Sequence, residues 1–391
     1  MITIATKTNI TIEAAAPVLY RIALNVCSKT KIPGTSVAKP GPAPVIANTR
    51  SKIFNEMWPS IMTKLKVTGF SWGITTRVYT CHSFAPSILA ASRSSCGTTD
   101  KPAMYIAMAN NYFAESDIAV KIVTIETGSG HTNAVLSGQA FAFIGGPEHN
   151  AFAKAKGAEL RAVVHCVDRG NVYLCAAKGQ DPKDRDWPAY MKGKTIAVGP
   201  YGGTPNSIMR YLLGKWKLDP KRDVTLIEVP NSAVPAAVRG GQAVIGNSTE
   251  PMVTQGIRNG FWSEPFFNVP KELGPYAYST INVRLDSIQK EPEVVRGFVK
   301  GMVKGLKFLY ANPNESAEIA KKQFPTMPLE DLKATLDRSF RDEMWSKDGM
   351  ISKEAWATGS SVVREAGILK TDVKYEEIID MSFVESVRAS L

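Results

Sequence analysis

Long apolar runs are missing from these 391 residues. Nothing approaches the ~20 consecutive apolar positions that a bilayer-spanning helix needs. Cysteine is scarce and scattered: Cys27, Cys81, Cys96, Cys166 and Cys175 form no C-x-x-C, so neither a disulfide framework nor a zinc ribbon is indicated. Cys166 and Cys175 lie in apolar, strand-like runs, where cysteine acts as a small buried hydrophobe. The four histidines include no pair at metal-ligand spacing, so no metal site is expected. Also absent are the Walker glycine loop, G-x-G-x-x-G, H-E-x-x-H and the G-x-S-x-G elbow. These absences leave no cofactor to expect. His131 or His149 beside Glu148 is then the one acid–base candidate, which is too little for an enzyme.

Acidic residues are short in one region only. Residues 1–99 hold 11 Lys and Arg against Glu13 and Glu56, a balance of +9, while the remainder carries 36 bases and 34 acids, or +2. The net charge of +11 therefore belongs to the first quarter. A broad phosphate-binding surface on the main body is not supported, so no nucleic-acid partner is expected, and that alternative rests on the basic first quarter alone. The first quarter is rich in Thr, Ser, Ala and Pro without sustained periodicity, and 31–49 (KIPGTSVAKPGPAPVIANT) has linker composition. Glu13 and Arg21 break the apolar core that a secretory leader at Met1 would need. A start at Met62 would give a basic stretch and a patchy apolar run ending SILAAS, interrupted by Arg77 and His82. The favoured reading is that 1–97 is a poorly ordered segment foreign to the folded protein.

What is present is a stretch written twice. VTIETGSGHTNAVLSGQAFAFIGGPE (123–148) and VTLIEVPNSAVPAAVRGGQAVIGNSTE (224–250) share A-V-x-x-G-Q-A at Ala134–Ala140 and Ala237–Ala243, 103 residues apart. Each copy reads as a β-branched strand, a turn-forming loop, a short helix ending at Gly138 or Gly241, an apolar strand, then glycine and a carboxylate, Glu148 or Glu250. Two such βαβ units predict two lobes whose strand ends face a shared cleft. The run 195–198 enters GPYGGTPNS and a helix over 207–216, an order suited either to a polar ligand at a helix start or to a plain tight turn. Helices are expected at 102–115, 292–310, 314–323, 328–340, 352–366 and 375–388, and a strand at 276–283 as the return crossing into the first lobe.

With these residues in place, 98–391 resembles the periplasmic solute-binding proteins of ABC importers for nitrate, sulfonates and taurine. The same superfamily includes pyrimidine-binding proteins of thiamine metabolism. The resemblance rests on PAMYIA with NYFAE (102–115), AVLSGQAFAF, GPYGGTPNSIMRYLL (199–213) and GQAVIGNSTEP (241–251), where Thr249 replaces a frequent aromatic. It implies an α/β, two-lobed type II periplasmic-binding-protein fold with an interlobe ligand cleft. Lobe 1 would comprise 98–179 and 248–391, and lobe 2 would comprise 180–247. It further implies a periplasmic monomer that hands a small solute to a permease. Two departures stand out: CGTTD (96–100) keeps only the loop that would follow a first strand, and the cysteine-rich motif of the thiamine-pyrimidine synthases is missing.

Carried over by position, the ligand-facing residues are Thr98, Thr99, Gly128, Ser129, Gly130, Gly146, Glu148, His149, Tyr201, Gly202, Gly203, Thr204, Asn231, Ser232 and Glu250. Hydroxyls and backbone N–H groups would supply the hydrogen bonds, and Tyr201 an aromatic wall. A sulfonate, nitrate or carboxylate would use the helix N-termini. A cation or a thiamine-related aminopyrimidine would use Glu148 and Glu250. The plainer alternative has both histidines opening helices and both glutamates capping or pairing across the hinge.

Overall fold

The structure, a computed structural model, describes residues 87–92, 101–125 and 129–391. Thr98, Thr99 and Gly128 lie outside the described residues, as does all of 1–86. The principal elements run β1 (Ser87–Ser92), α1 (Pro102–Ala109), β2 (Ala119–Thr124), α2 (Gly130–Leu136), β3 (Ala142–Gly145), α3 (Glu148–Lys154), β4 (Leu160–Arg169) and β5 (Tyr173–Ala176). They continue with β6 (Thr195–Val198), α4 (Thr204–Lys215), β7 (Thr225–Glu228), α5 (Val234–Arg239), β8 (Ile245–Ser248), α6 (Met252–Arg258), β9 (Phe267–Asn268) and β10 (Pro275–Arg284). Helices α7 (Pro292–Ala311), α8 (Pro313–Gln323), α9 (Leu329–Arg341) and α10 (Lys353–Glu365) follow.

Two five-stranded sheets result, in the orders β2-β1-β3-β10-β4 and β7-β6-β8-β5-β9. The orders are equivalent. In each, one strand is flanked by two parallel partners, the second of which is followed by an antiparallel strand: β10, returning from beyond the second sheet, in the first, and β5, the first strand after the crossing, in the second. The doubled stretch forms the matching portions, β2-α2-β3 and β7-α5-β8. Its glycines Gly138 and Gly241 both take positive φ, 76° and 71°, closing their helices as C-caps do.

Two expectations need correction. The first sheet does have its first strand: β1, the SILAAS run inside 1–97, pairs in parallel with β2 at six positions and with β3 at three. Serine and alanine give a short strand little β signature, so this run reads from sequence as the tail of an apolar stretch. The boundary between halves also differs. The chain crosses at 170–172 and again at 269–274, so β5 and the segment through β9, expected with the first lobe, join the second sheet. β5 pairs with β8, some seventy residues on, and periodicity carries no information about which sheet a buried strand enters.

Helix α7 shows how the helical layer seats on the first sheet. Val295, Phe298, Val299, Met302, Val303, Leu306 and Leu309 are buried, each contributing about 1.5–3 kcal/mol relative to exposure. Lys300 and Lys304 stay outside and pair with Glu115. Gly297, Gly301 and Gly305 recur every fourth residue and let neighbours approach: Gly297 faces the Ser116 and Ile118 side chains, Gly301 the Phe113 ring, and a Cβ on Gly305 would lie 2.1 Å from the Ala103 carbonyl oxygen of α1. The helix expected at 102–115 stops at Ala109, where Asn111 takes φ 57°. That expected at 375–388 splits into Tyr375–Ile378 and Ser382–Arg388, because Ile379 bridges to Ala162 of β4 and Asp380 N–H donates to the Ala162 carbonyl at 2.9 Å.

Gly305→Ala should destabilise the protein by about 1–3 kcal/mol in urea unfolding, since the methyl meets fixed backbone. Gly214→Ala in α4, where an added Cβ meets nothing within 4 Å, should instead stabilise it by up to about 1 kcal/mol.

Candidate functional site

The carboxyl ends of β3 and β6, one in each sheet, lead through glycine turns into α3 and α4. Glu148 is the first residue of α3 and Thr204 the first of α4. The Thr204 hydroxyl donates to Glu148 Oε1 at 2.6 Å, and both residues are buried. A carboxylate at a helix N-terminus gains from the helix dipole. The missing side chain at Gly146 leaves room for this carboxylate, since a Cβ there would sit 1.9 Å from Glu148 Oε2 and force it to move. Gly199 is constrained in the same way by Asn231, whose Oδ1 lies 2.0 Å from where a Cβ would be. The sequence-derived residues Gly146, Glu148 and Thr204 are thus brought together across the two halves, and Asn231 is brought against the loop after β6.

That loop is held by side chains that sequence reasoning missed. Asn206 donates to the Gly199 carbonyl at 2.8 Å, and Arg210 donates to Asn206 at 2.7 Å and to Glu228 at 3.1 Å. The Tyr201 N–H donates to Glu228 Oε2 at 3.2 Å, and the Tyr201 ring, 55 % exposed, lies over the Arg210 guanidinium at 5.0 Å. Gly202 takes φ 76° and Gly203 precedes α4 as its N-cap. Ser129 is the exposed N-cap of α2, Gly130 opens that helix half-buried, and Ser232 is exposed in a short turn before α5.

Two residues expected to face ligand are differently placed. His149 is enclosed by rings: it meets His131 edge-on at 4.6 Å and Phe152 at 5.7 Å, and Phe143 packs on His131 at 4.8 Å. Both histidines stand in the first turns of their helices, α2 and α3, as the plainer alternative had it. Glu250 turns its carboxylate to Thr254, whose N–H and hydroxyl donate at 3.1 and 2.7 Å, and forms an ion pair with Arg338 of α9 at 2.7 Å. Twin carboxylates of the repeat therefore do different things. Glu148 joins the two halves at the strand ends, whereas Glu250 caps α6.

Among the buried polar atoms with no hydrogen-bond partner among the described residues are Thr132 Oγ1, Asn247 Oδ1, Ser248 Oγ and Tyr276 Oη. Thr132 is in the first turn of α2; Asn247 and Ser248 end β8, with Asn247 Nδ2 donating to the Pro205 carbonyl in the first turn of α4. Tyr276, on β10, is fully buried. Burial raises its pKa well above the usual phenol value, and the nearby Glu148 charge adds to the rise. A buried polar group left without a partner costs about 1–3 kcal/mol. In the sequence, N-S directly after an apolar strand of the repeat was the available signal for Asn247 and Ser248; Tyr276 had none.

The NMT1/THI5-like family model matches residues 98–316, more than half of the chain. The chain belongs to the NMT1/THI5-like family. Its relative YtlA of Bacillus subtilis, a putative binding protein, is 21 % identical over 291 residues, covering 73 % of this chain and 85 % of YtlA. Among solved structures, a protein of Bordetella bronchiseptica RB50 matches with TM-score 0.66 at 19 % identity, covering 78 % of this chain and 97 % of its own. The alkanesulfonate-binding protein SsuA of Xanthomonas axonopodis pv. citri, bound to MOPS, matches with TM-score 0.62 at 15 % identity, covering 76 % and 98 %. The fold of this NMT1/THI5-like chain is the two-lobed α/β type II periplasmic-binding-protein fold. Among its described residues no helix is long and apolar enough to cross a membrane.

Burial raises the Glu250 carboxyl from an ordinary 4.5 to about 7, against the opposing pull of Thr254 and Arg338. The folded protein therefore holds a proton that the unfolded chain releases. This contribution is fully present below pH 4.5 and is lost as pH rises through about 7. Denaturant unfolding should report a loss of roughly 3 kcal/mol over that window from this group. Glu250→Gln should flatten the slope.

Proposed function

We propose that this protein is the solute-binding component of an ABC importer, working in the periplasm as a monomer and delivering a small polar solute to its permease. The observation that carries the reading is the buried Thr204–Glu148 hydrogen bond, 2.6 Å long, between helix starts of the two lobes. Contacts at facing strand ends distinguish a closed pair of lobes from an open one, and a solute that binds the closed pair better shifts the population toward it. Ligand-facing roles are assigned to Glu148, Thr204, Thr132, Asn247, Ser248 and Tyr276, with Tyr201 and Asn231 on the rim. Catalysis has no part in this reading.

The buried carboxylate selects the solute class. At an effective dielectric constant of ~20, a like charge 4 Å from an ionised carboxylate costs about 4 kcal/mol, so Glu148 in its charged form disfavours an anion. A solute with N–H donors, such as an aminopyrimidine, pairs with that carboxylate. The sulfonate or nitrate alternative keeps the helix N-termini as its support.

Thermal-shift titration separates the two. 4-Amino-5-hydroxymethyl-2-methylpyrimidine should raise the melting temperature, and Glu148→Gln should weaken its binding about 10- to 100-fold, as loss of a charged hydrogen bond does. Stabilisation by ethanesulfonate or nitrate alone would sink the donor-rich solute and leave the importer reading standing. Tyr276→Phe should leave ligand-free stability unchanged or higher, because it removes an unpaired hydroxyl. A drop of more than about 1 kcal/mol would show instead that the hydroxyl serves the fold.

A further inference from the structure

Helix α9 has two unlike faces. Leu332 and Leu336 are buried with the helical layer of the first lobe, and Phe340 stacks edge-on against Tyr310 of α7 at 5.7 Å. Asp331, Thr335, Arg338 and the capping Asp342, spaced four, three and four residues apart, form a polar stripe on another face. The partners of that stripe belong to the second lobe or to the crossing that leaves it. Asp331 pairs with Arg258 Nε at 2.8 Å, and Thr335 donates to Glu250 at 3.4 Å. Arg338 pairs with Glu250 at 2.7 Å, forks onto both oxygens of Glu264 at 2.8 and 3.2 Å, and lies over the Tyr173 ring. Asp342 accepts from the Tyr173 hydroxyl at 2.7 Å and from Asn268 Nδ2 at 3.1 Å, with Lys271 at 3.6 Å.

These partners bracket the two places where the chain changes lobe. Tyr173 opens β5 directly after the 170–172 crossing; Asn268 ends β9 and Lys271 lies within the 269–274 crossing. A helix meant to fuse the lobes permanently would bury apolar side chains here. A charged, hydrogen-bonded face instead resembles a contact between domains that move. Its geometry is still specific, because a forked guanidinium–carboxylate pair fixes orientation as well as distance.

We propose that α9 is a brace across the hinge, with Arg338 as the positioning residue that fixes the angle between the lobes. The brace rests on the two-lobed fold and not on which solute is captured. Arg338 touches no proposed ligand-facing group; it acts through Glu250, Glu264 and Tyr173.

The test uses the full chain with hydrogen-exchange mass spectrometry and small-angle scattering. In Arg338→Met, peptides covering 170–176 and 266–275 should exchange about tenfold faster, as local opening without global unfolding requires, while peptides over β3 and β6 keep their rates. The radius of gyration should rise. Arg338→Lys, which keeps the charge and loses the fork, should fall between wild type and Met. Unchanged crossing peptides, a superimposable scattering profile, or acceleration of all peptides together would each overturn the brace. Should Arg338→Met fail to fold, Glu264→Gln decides: Glu264 is exposed, so faster exchange confined to the crossings supports the brace and none refutes it.

Discussion

The first sheet of this protein is completed by β10, a strand that arrives only after the chain has left to build the whole second sheet from β5 to β9, and this return is the constraint from which the site follows. β10 lies antiparallel between β3 and β4, and β5 lies antiparallel beside β8. The chain must therefore cross between the halves twice, within a few residues each time. Short crossings keep the two lobes together yet leave few covalent restraints on their angle. They also bring the helices after β3 and β6 near enough for Thr204 and Glu148 to touch. A site assembled from two separately packed bodies is the natural consequence, because each body contributes loops and helix starts at its own strand ends.

The two repeat-borne carboxylates show how environment assigns function to identical residues. Both follow an apolar strand and glycine. Glu148 sits where the opposite lobe supplies a hydroxyl and where Tyr276 lies within reach of its charge. Glu250 meets a helix from the first lobe's outer layer and is consumed by Thr254 and Arg338. A buried carboxylate without such partners would be too costly to keep ionised. One glutamate thus meets a hydroxyl of the opposite lobe, and the other is paired to α9.

Much of the architecture was legible because packing rewards periodic sequence. The stripe of α7 announced a helix over 292–310, and Pro292–Ala311 is what forms. The run 195–198 was bounded by its own apolar content, and β6 matches it. Chain order alone located Glu148, Thr204 and Asn231 at the turns that follow strands. Legibility failed where distant contacts overrode local pattern. SILAAS is a strand because β2 and β3 flank it, and Ile379 interrupts a helix because β4 accepts it. His149 belongs to a ring cluster whose members come from α2, β3 and α3.

By itself the sequence determined the elements and their doubling: periods of 3.6 and 2, glycine stops, and a repeated A-V-x-x-G-Q-A that obliges two similar half-sheets. These depend on interactions within a few residues, and local order records them. Only the tertiary structure decided which sheet each strand joins, what each glutamate meets in the opposite lobe, and that Tyr276, Asn247, Ser248 and Thr132 carry buried polar atoms without a partner among the described residues. Burial and pairing across a hundred residues are properties of three-dimensional neighbours, and one-dimensional spacing does not encode them.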